Sequence, residues 1–147
     1  MSIYHISEFM QLGGQTVPSD VDREISSKEL LKFWGRIDDE IQETWEAICY
    51  WNSQWEMHEP HYNEPPRDIP EAVDGFLDIA YTALSAAIRV AGEDKAYKAW
   101  WEVVSANLNK VNGVYGPKIQ NPDTGKIEKP EGWIAPDIEK ILQEEVF

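Results

Sequence analysis

The chain has 147 residues and a mass of 16.9 kDa, the size of one domain. Hydrophobic residues make up 42% and aromatics 12%, enough to bury a core, so a disordered tail is excluded. Asp and Glu number 27 against 13 Lys and Arg, a formal charge of −14. That balance argues against nucleic acid and anionic membranes as partners, since both call for a basic surface. Cys49 is the single cysteine. An intrachain disulfide and a cysteine-based zinc site are therefore excluded, and a reducing cytoplasm is the expected compartment. No run approaches the roughly 18 apolar residues of a membrane span. Met1-Ser2-Ile3-Tyr4-His5 lacks the basic head and apolar run of a signal peptide.

In chain order, residues 2–12 predict a short helix with Ser2 as N-cap and Ile3, Ile6, Phe9 and Met10 on one side. Gly13-Gly14 ends it, and a polar stretch with Pro18 runs to about residue 25. Ser26 and Glu29 fit an S-x-x-E capping box that opens a second helix. Leu30, Trp34, Ile37, Ile41, Trp45 and Ile48 then recur at helical spacing as one apolar stripe. Gly35 interrupts this helix and suggests a close approach by another element.

Residues 51–69 show no period, and are read either as a lid or as a long crossover. Pro70 suits the first turn of a third helix running to Ala91-Gly92, with Val73, Phe76, Leu77, Ala80, Leu84, Ala87 and Ile88 as its expected buried face. A fourth helix is expected over 93–111, opening on Glu93 and Asp94 and striped by Tyr97, Trp100, Trp101, Val104 and Leu108. Lys118-Ile119-Gln120 and Lys126-Ile127-Glu128 flank Asn121-Pro122-Asp123-Thr124-Gly125 as a small hairpin. Pro136 begins a last short helix to about residue 145. The expected class is all-α, resembling a four-helix bundle, with one short C-terminal hairpin and a final helix.

The acids are distributed unevenly. Glu40 and Glu43 lie on one side of the second helix, flanking its apolar stripe, while Asp39 and Glu46 point more to the opposite side. On the third helix Glu71, Asp74 and Asp78 fall at i, i+3 and i+7, one face, which Thr82 and Ser85 continue. Like charges at this spacing repel, yet no Lys or Arg occurs from residue 68 to residue 88. Such stacked carboxylates call for a counter-charge. Oxygen-only ligands suit Mg²⁺ or Mn²⁺, and facing helices of bundles build carboxylate metal sites in this way. Ions there would hold a polyphosphate and activate a water.

Two other motifs are weaker. His58-x-x-His61 has a zinc-like spacing but no helical context, and Asp123-Thr-Gly-Lys126 lacks the upstream glycine of a phosphate loop and reads as a hairpin turn.

Asp39-Glu40-x-x-Glu43 followed by Glu71-x-x-Asp74 resembles the E-E-x-x-E … E-x-x-D signature of the all-α NTP pyrophosphohydrolases. That superfamily includes MazG, the dimeric dUTPases and phosphoribosyl-ATP pyrophosphohydrolase. Ser7-Glu8-Phe9, Asp74-Gly-Phe-Leu-Asp78-Ile-Ala-Tyr81, Ser105-Ala106-Asn107-Leu108-Asn109-Lys110 and Gly125-Lys126-Ile-Glu-Lys129-Pro130 through Pro136-Asp137 extend the likeness over nearly the whole chain. It is closest to single-domain, phage-type members. Asp39 in place of Glu, Ala106 splitting the Ser-Asn pair, and the Trp-rich 51–69 loop depart from the pattern.

The resemblance implies a cytoplasmic hydrolase that converts a nucleoside triphosphate to the monophosphate and pyrophosphate. Glu40, Glu43, Glu71 and Asp74 would hold Mg²⁺, with Asp78 joining them or replacing Glu71. Glu40 or Glu43 would orient or deprotonate the attacking water. Lys110 and Asn107 would contact phosphates, with Tyr81 assisting. Trp34 or a loop Trp could stack on the base, although a core position is the simpler reading of Trp34. Members work as homodimers or homotetramers. The Trp-rich loop favours a purine, hence dGTP or GTP first and dUTP or dCTP next. The competing expectation is a non-enzymatic acidic interaction protein, such as a DNA mimic, which the charge also fits.

Overall fold

The computed structural model describes residues 3–52, 57–59 and 61–145. Helix α1 (Ile3–Leu12) seals Ile3, Ile6 and Met10, as its periodicity predicts. Phe9 stays on the surface but meets the ring of Tyr81 edge-on at 5.6 Å. Helix α2 (Ser27–Ile48) starts where the cap signal placed it, with Ser26 Oγ accepting from the Glu29 N–H at 3.2 Å. The second half of the capping box goes elsewhere. Glu29 Oε1 accepts instead from Arg89 Nε at 2.7 Å.

After α2 the chain forms a short antiparallel ribbon, β1 (Tyr50–Asn52) with β2 (Met57–Glu59), inside the region read from sequence as a loop or crossover. Residues 53–56 and 60 lie outside the described residues. The end of the crossover is tied back to α2, since the Asp68 N–H donates to the Ala47 carbonyl at 2.8 Å and Arg67 Nε to the Glu46 carbonyl at 3.0 Å. Asp68 then caps α3 (Ile69–Ala91), which carries Pro70 in its first turn.

Gly92 separates α3 from α4 (Glu93–Leu108) at φ 76°, and a Cβ there would stand 2.7 Å from the Pro18 carbonyl oxygen. Only glycine takes that conformation at that distance without strain. Helix α4 ends three residues before the sequence pattern suggested. Asn109, Lys110 and Val111 continue as tightening turns, and Asn112 bonds Asn109 Oδ1 at 2.9 Å and the Val114 N–H at 3.1 Å. Asn side chains compete with helix continuation in this way.

The expected C-terminal hairpin is present as one bridge, Gln120 to Ile127, closed by an Asn121 turn. Helix α5 (Ile138–Gln143) is capped by Asp137 and is shorter than its sequence pattern. The architecture is thus helical, with five α helices and one short ribbon among the described residues.

The core lies between α1, the C-terminal half of α3 and the start of α4. Ile3, Ile6, Met10, Ile88, Ala91 and Ala96 form it, with Val17, Tyr81, Leu84, Tyr97 and Leu142 packed around them. Helices α2 and α3 run antiparallel, since Ala47 lies by Asp68, Thr44 by Gly75 and Glu29 by Arg89. Their contact is unlike the expected one. The residues buried between them and beside them are Phe33, Thr44 and Ala47 on α2 and Ala72, Gly75 and Ser85 on α3.

The large apolar residues are outside. Leu31, Trp34, Ile41 and Trp45 of α2, and Val73, Phe76 and Leu77 of α3, are exposed. The expected buried face of α3 is therefore corrected, with Ile88 alone fully buried and Leu84 partly so. On α4, likewise, Trp100, Trp101 and Leu108 are exposed while Ala96 and Ala106 are buried. Trp34, at 66% exposure, is not a core residue of this chain.

Two glycines separate the reasons for placing one in a helix. A Cβ on Gly75 would lie 3.0 Å from Thr44 Cβ and 3.3 Å from its Cα, and would collide with the Thr44 hydroxyl. A Cβ on Gly35 would meet nothing within 4 Å, so the close approach expected there is absent among the described residues. In urea unfolding, Gly75→Ala should therefore lose about 1–2 kcal/mol, because overpacking of about 1–3 kcal/mol outweighs a propensity gain of up to about 1 kcal/mol. Gly35→Ala should gain up to about 1 kcal/mol. Equal effects of the two substitutions would contradict this packing.

Candidate functional site

Glu40, Glu43, Asp74 and Asp78 share one flank of the α2–α3 pair. The Gly75–Thr44 contact brings the two helices close at this point. Thr44 Oγ1 donates to the Glu40 carbonyl at 2.6 Å, so the residue that packs against Gly75 is also bonded to Glu40's own turn. Glu40 is half-buried, whereas Asp39, Glu43, Asp74 and Asp78 are exposed.

The carboxyl of Glu40 is held above its usual range. Loss of water by burial is the main cause, followed by the charges of Asp78, Glu43, Asp39 and Asp74. Asp78 contributes most among the charges, ahead of Asp74 on the same helix. Glu71 is absent from that group. It sits in the first turn of α3, where its N–H is bound by the Asp68 cap at 3.1 Å. Among the described residues, no three carboxylate or histidine groups converge at ligand distance on one point. The fit to a cation rests instead on the chemistry of the donors. Carboxylate oxygen is the donor type that Mg²⁺ and Mn²⁺ take.

The other candidate residues are spread out. Tyr81 belongs to the core margin, and burial raises its hydroxyl. Its ring touches Phe9 on α1, and its carbonyl accepts from Ser85 Oγ at 2.9 Å. Asn107 and Lys110 stand at the end of α4, where Lys110 Nζ donates to Asn107 Oδ1 at 2.7 Å and lies 4.7 Å above the Trp133 ring. Trp133 is itself anchored, its Nε1 donating to the Ala106 carbonyl at 2.7 Å. Asn107 and Lys110 line a largely apolar cavity of about 540 Å³ with Trp100, Val103, Leu108 and Ile127, and no carboxylate among the described residues lines it. Trp34 stands exposed on α2, its side chain open to solvent.

The side chain of His58 lies outside the described residues, whereas that of His61 is described. His61 Nδ1 meets Glu64 Oε2 at 3.1 Å and its ring stacks on Tyr50 at 4.4 Å. Cys49 is buried, with its thiol pushed up by burial, so it is a poor nucleophile.

One cluster was not anticipated from the sequence. Arg89, only 7% exposed, is gripped by Asp22 Oδ2 and Glu29 Oε1, both at 2.7 Å. The available signal was the lone cation ending the Lys- and Arg-free stretch of α3. Its partners lie 67 and 60 residues away, beyond the reach of periodicity.

No helix among the described residues is long and apolar enough to cross a membrane. No protein-family model matches the chain, and a search of curated proteins finds no match.

The sign of the Glu40 shift gives a stability test. Above the ordinary carboxyl value of 4.5, the folded protein holds its proton on Glu40 longer than the unfolded chain does. Stability from this group then falls as pH rises. Asp20, Asp22 and Glu144 act in the opposite sense, since their lowered values make stability fall in acid. These three are common to parent and variant. Glu40→Gln should therefore raise Tm at pH 7 in EDTA and leave Tm little changed near pH 4. A lower Tm at pH 7 would contradict the crowding of charge at Glu40.

Proposed function

We propose that the chain is a metal-dependent nucleotide pyrophosphohydrolase with an all-α, MazG-like fold. The observation that carries this reading is Glu40, half-buried at the α2–α3 contact with four other acids acting on its charge. An acidic surface mimic has no reason to desolvate one of its carboxylates among the others. The sequence resemblance supplies the rest of the reading.

In this reading Glu40, Glu43, Asp74 and Asp78 hold Mg²⁺ or Mn²⁺, with Glu71 at the outer end of the same face. A bound metal would supply Lewis-acid polarisation of the phosphate oxygens and charge neutralisation. Glu40 or Glu43 orients the attacking water and accepts its proton. The water oxygen forms the new bond to phosphorus as the anhydride P–O bond breaks. The products are a nucleoside monophosphate and pyrophosphate. Asn107 and Lys110 are assigned to the phosphates, Tyr81 to an assisting role and Trp34 to base stacking, on the resemblance alone. Guanine nucleotides are the first choice of substrate, with dUTP and dCTP next.

Assembly as a homodimer or homotetramer belongs to the same reading. Its support is the exposed row of Leu31, Trp34, Ile41 and Trp45 on α2 and Val73, Phe76 and Leu77 on α3. Soluble monomers rarely leave so much apolar side chain uncovered on adjoining helices.

A panel of nucleoside triphosphates with Mg²⁺ tests the activity, read as monophosphate and pyrophosphate. Glu43→Gln should lower kcat at least about 100-fold, as expected for loss of a group that holds metal or water, with an unchanged circular dichroism spectrum. EDTA should abolish turnover. No turnover of any nucleotide with Mg²⁺ or Mn²⁺ would overturn the activity. In light scattering the protein should run at twice the 16.9 kDa chain mass or more. A monomer at micromolar concentration would overturn the assembly.

A further inference from the structure

A second site follows from a concentration of positive charge in a strongly acidic protein. A cavity of about 430 Å³ opens beside the first half of α2. Lys28, Lys32 and Arg36 line it from α2, Arg89 from α3, and Gly14, Gln15 and Thr16 from the chain leaving α1. Four of the thirteen Lys and Arg residues thus surround one cavity. The only acid among the lining residues is Glu29. Its carboxylate is already engaged by Arg89, which Asp22 also holds. Lys28, Lys32 and Arg36 form no ion pair among the described residues.

These three cations repeat every fourth residue, so they stack along one flank of the helix. Such a row is mutually repulsive, in a protein that has ample acid available to pair with it. Arg36 is further fixed by its guanidinium, 4.7 Å over the Phe33 ring. The buried ion-paired Arg89 and its two carboxylates brace the wall without cancelling the three free charges.

We propose that this cavity binds the phosphate group of a small phosphorylated molecule. A phosphate offers several oxygens to lysine and arginine at once. The volume lies within the range of small-molecule sites. The inference stands on the cavity residues and does not depend on the carboxylates being catalytic. Two sources share the chemistry: the polyphosphate of a nucleotide whose other end reaches Glu40, one turn beyond Arg36 on the same flank, or a separate phosphorylated effector.

The test is isothermal titration of the full chain with inorganic tripolyphosphate in EDTA, where the acidic flank has no cation through which to take an anion. We expect one saturable site that weakens with added salt. The double variant Lys28→Gln/Lys32→Gln should bind about tenfold or more weakly, since charge-assisted hydrogen bonds are lost. Both lysines are exposed, so the fold should persist, and a thermal melt checks this. Glu43→Gln should bind tripolyphosphate unchanged. If a nucleoside triphosphate with Mg²⁺ competes with tripolyphosphate, the nucleotide is the source. If both bind together, the cavity serves a separate effector. No saturable binding would overturn the proposal, as would binding that the double variant leaves within about twofold. Neither result would touch the hydrolysis assay, so the two ideas can fail separately.

Discussion

The contact between Gly75 and Thr44 sets the geometry of this protein. No side chain on α3 separates the helices at that point, so α2 and α3 approach closely. Small and polar residues, including Ala72, Gly75, Ser85, Thr44 and Ala47, then fill the seam. Beside Gly75 the large side chains of these helices would not fit. They lie on the outer faces, and Glu40 of α2 feels the charges of Asp74 and Asp78 of α3.

The Arg89 clamp works at the other end of the same pair. Asp22, before α2, and Glu29, in its first turn, both bond a guanidinium from the last turns of α3. A buried ion pair of this kind fixes position more dependably than it adds net stability. It holds the α2 N-terminus against α3 while leaving Lys28, Lys32 and Arg36 unpaired. The flank then has two electrostatic halves. Acids gather around Glu40 near the middle of α2, and cations gather before it. This division links the two proposals without making either depend on the other.

The starts of α2 and α3, the end of α3, the hairpin at Asn121 and the buried stripe of α1 were legible in the sequence. All are fixed by neighbouring residues: a Ser or Asp cap, a proline in the first turn, a glycine at positive φ, an Asn turn. The candidate carboxylates were legible too, because periodicity assigns residues to a helix face. The buried side of each helix was harder to read. Apolar periodicity finds the greasy face, and a core is its usual destination. In α2 and α3 that face is on the outside of the chain. Trp34, Trp45 and Phe76 look like core residues in sequence and are exposed in the fold.

By itself, then, the sequence determined the helical class, the caps and breaks, and the alignment of acids along two helix faces, because these depend on local conformation and period. Only the tertiary structure decided which faces meet. Glycine 75 against Thr44, and Arg89 against Asp22 and Glu29, are contacts between residues 31 to 67 positions apart. Their pairing depends on fit and charge across the helix seam, which no local pattern encodes. The same packing desolvates Glu40 and leaves its charge among acids, and it turns three ordinary surface cations into the wall of a cavity.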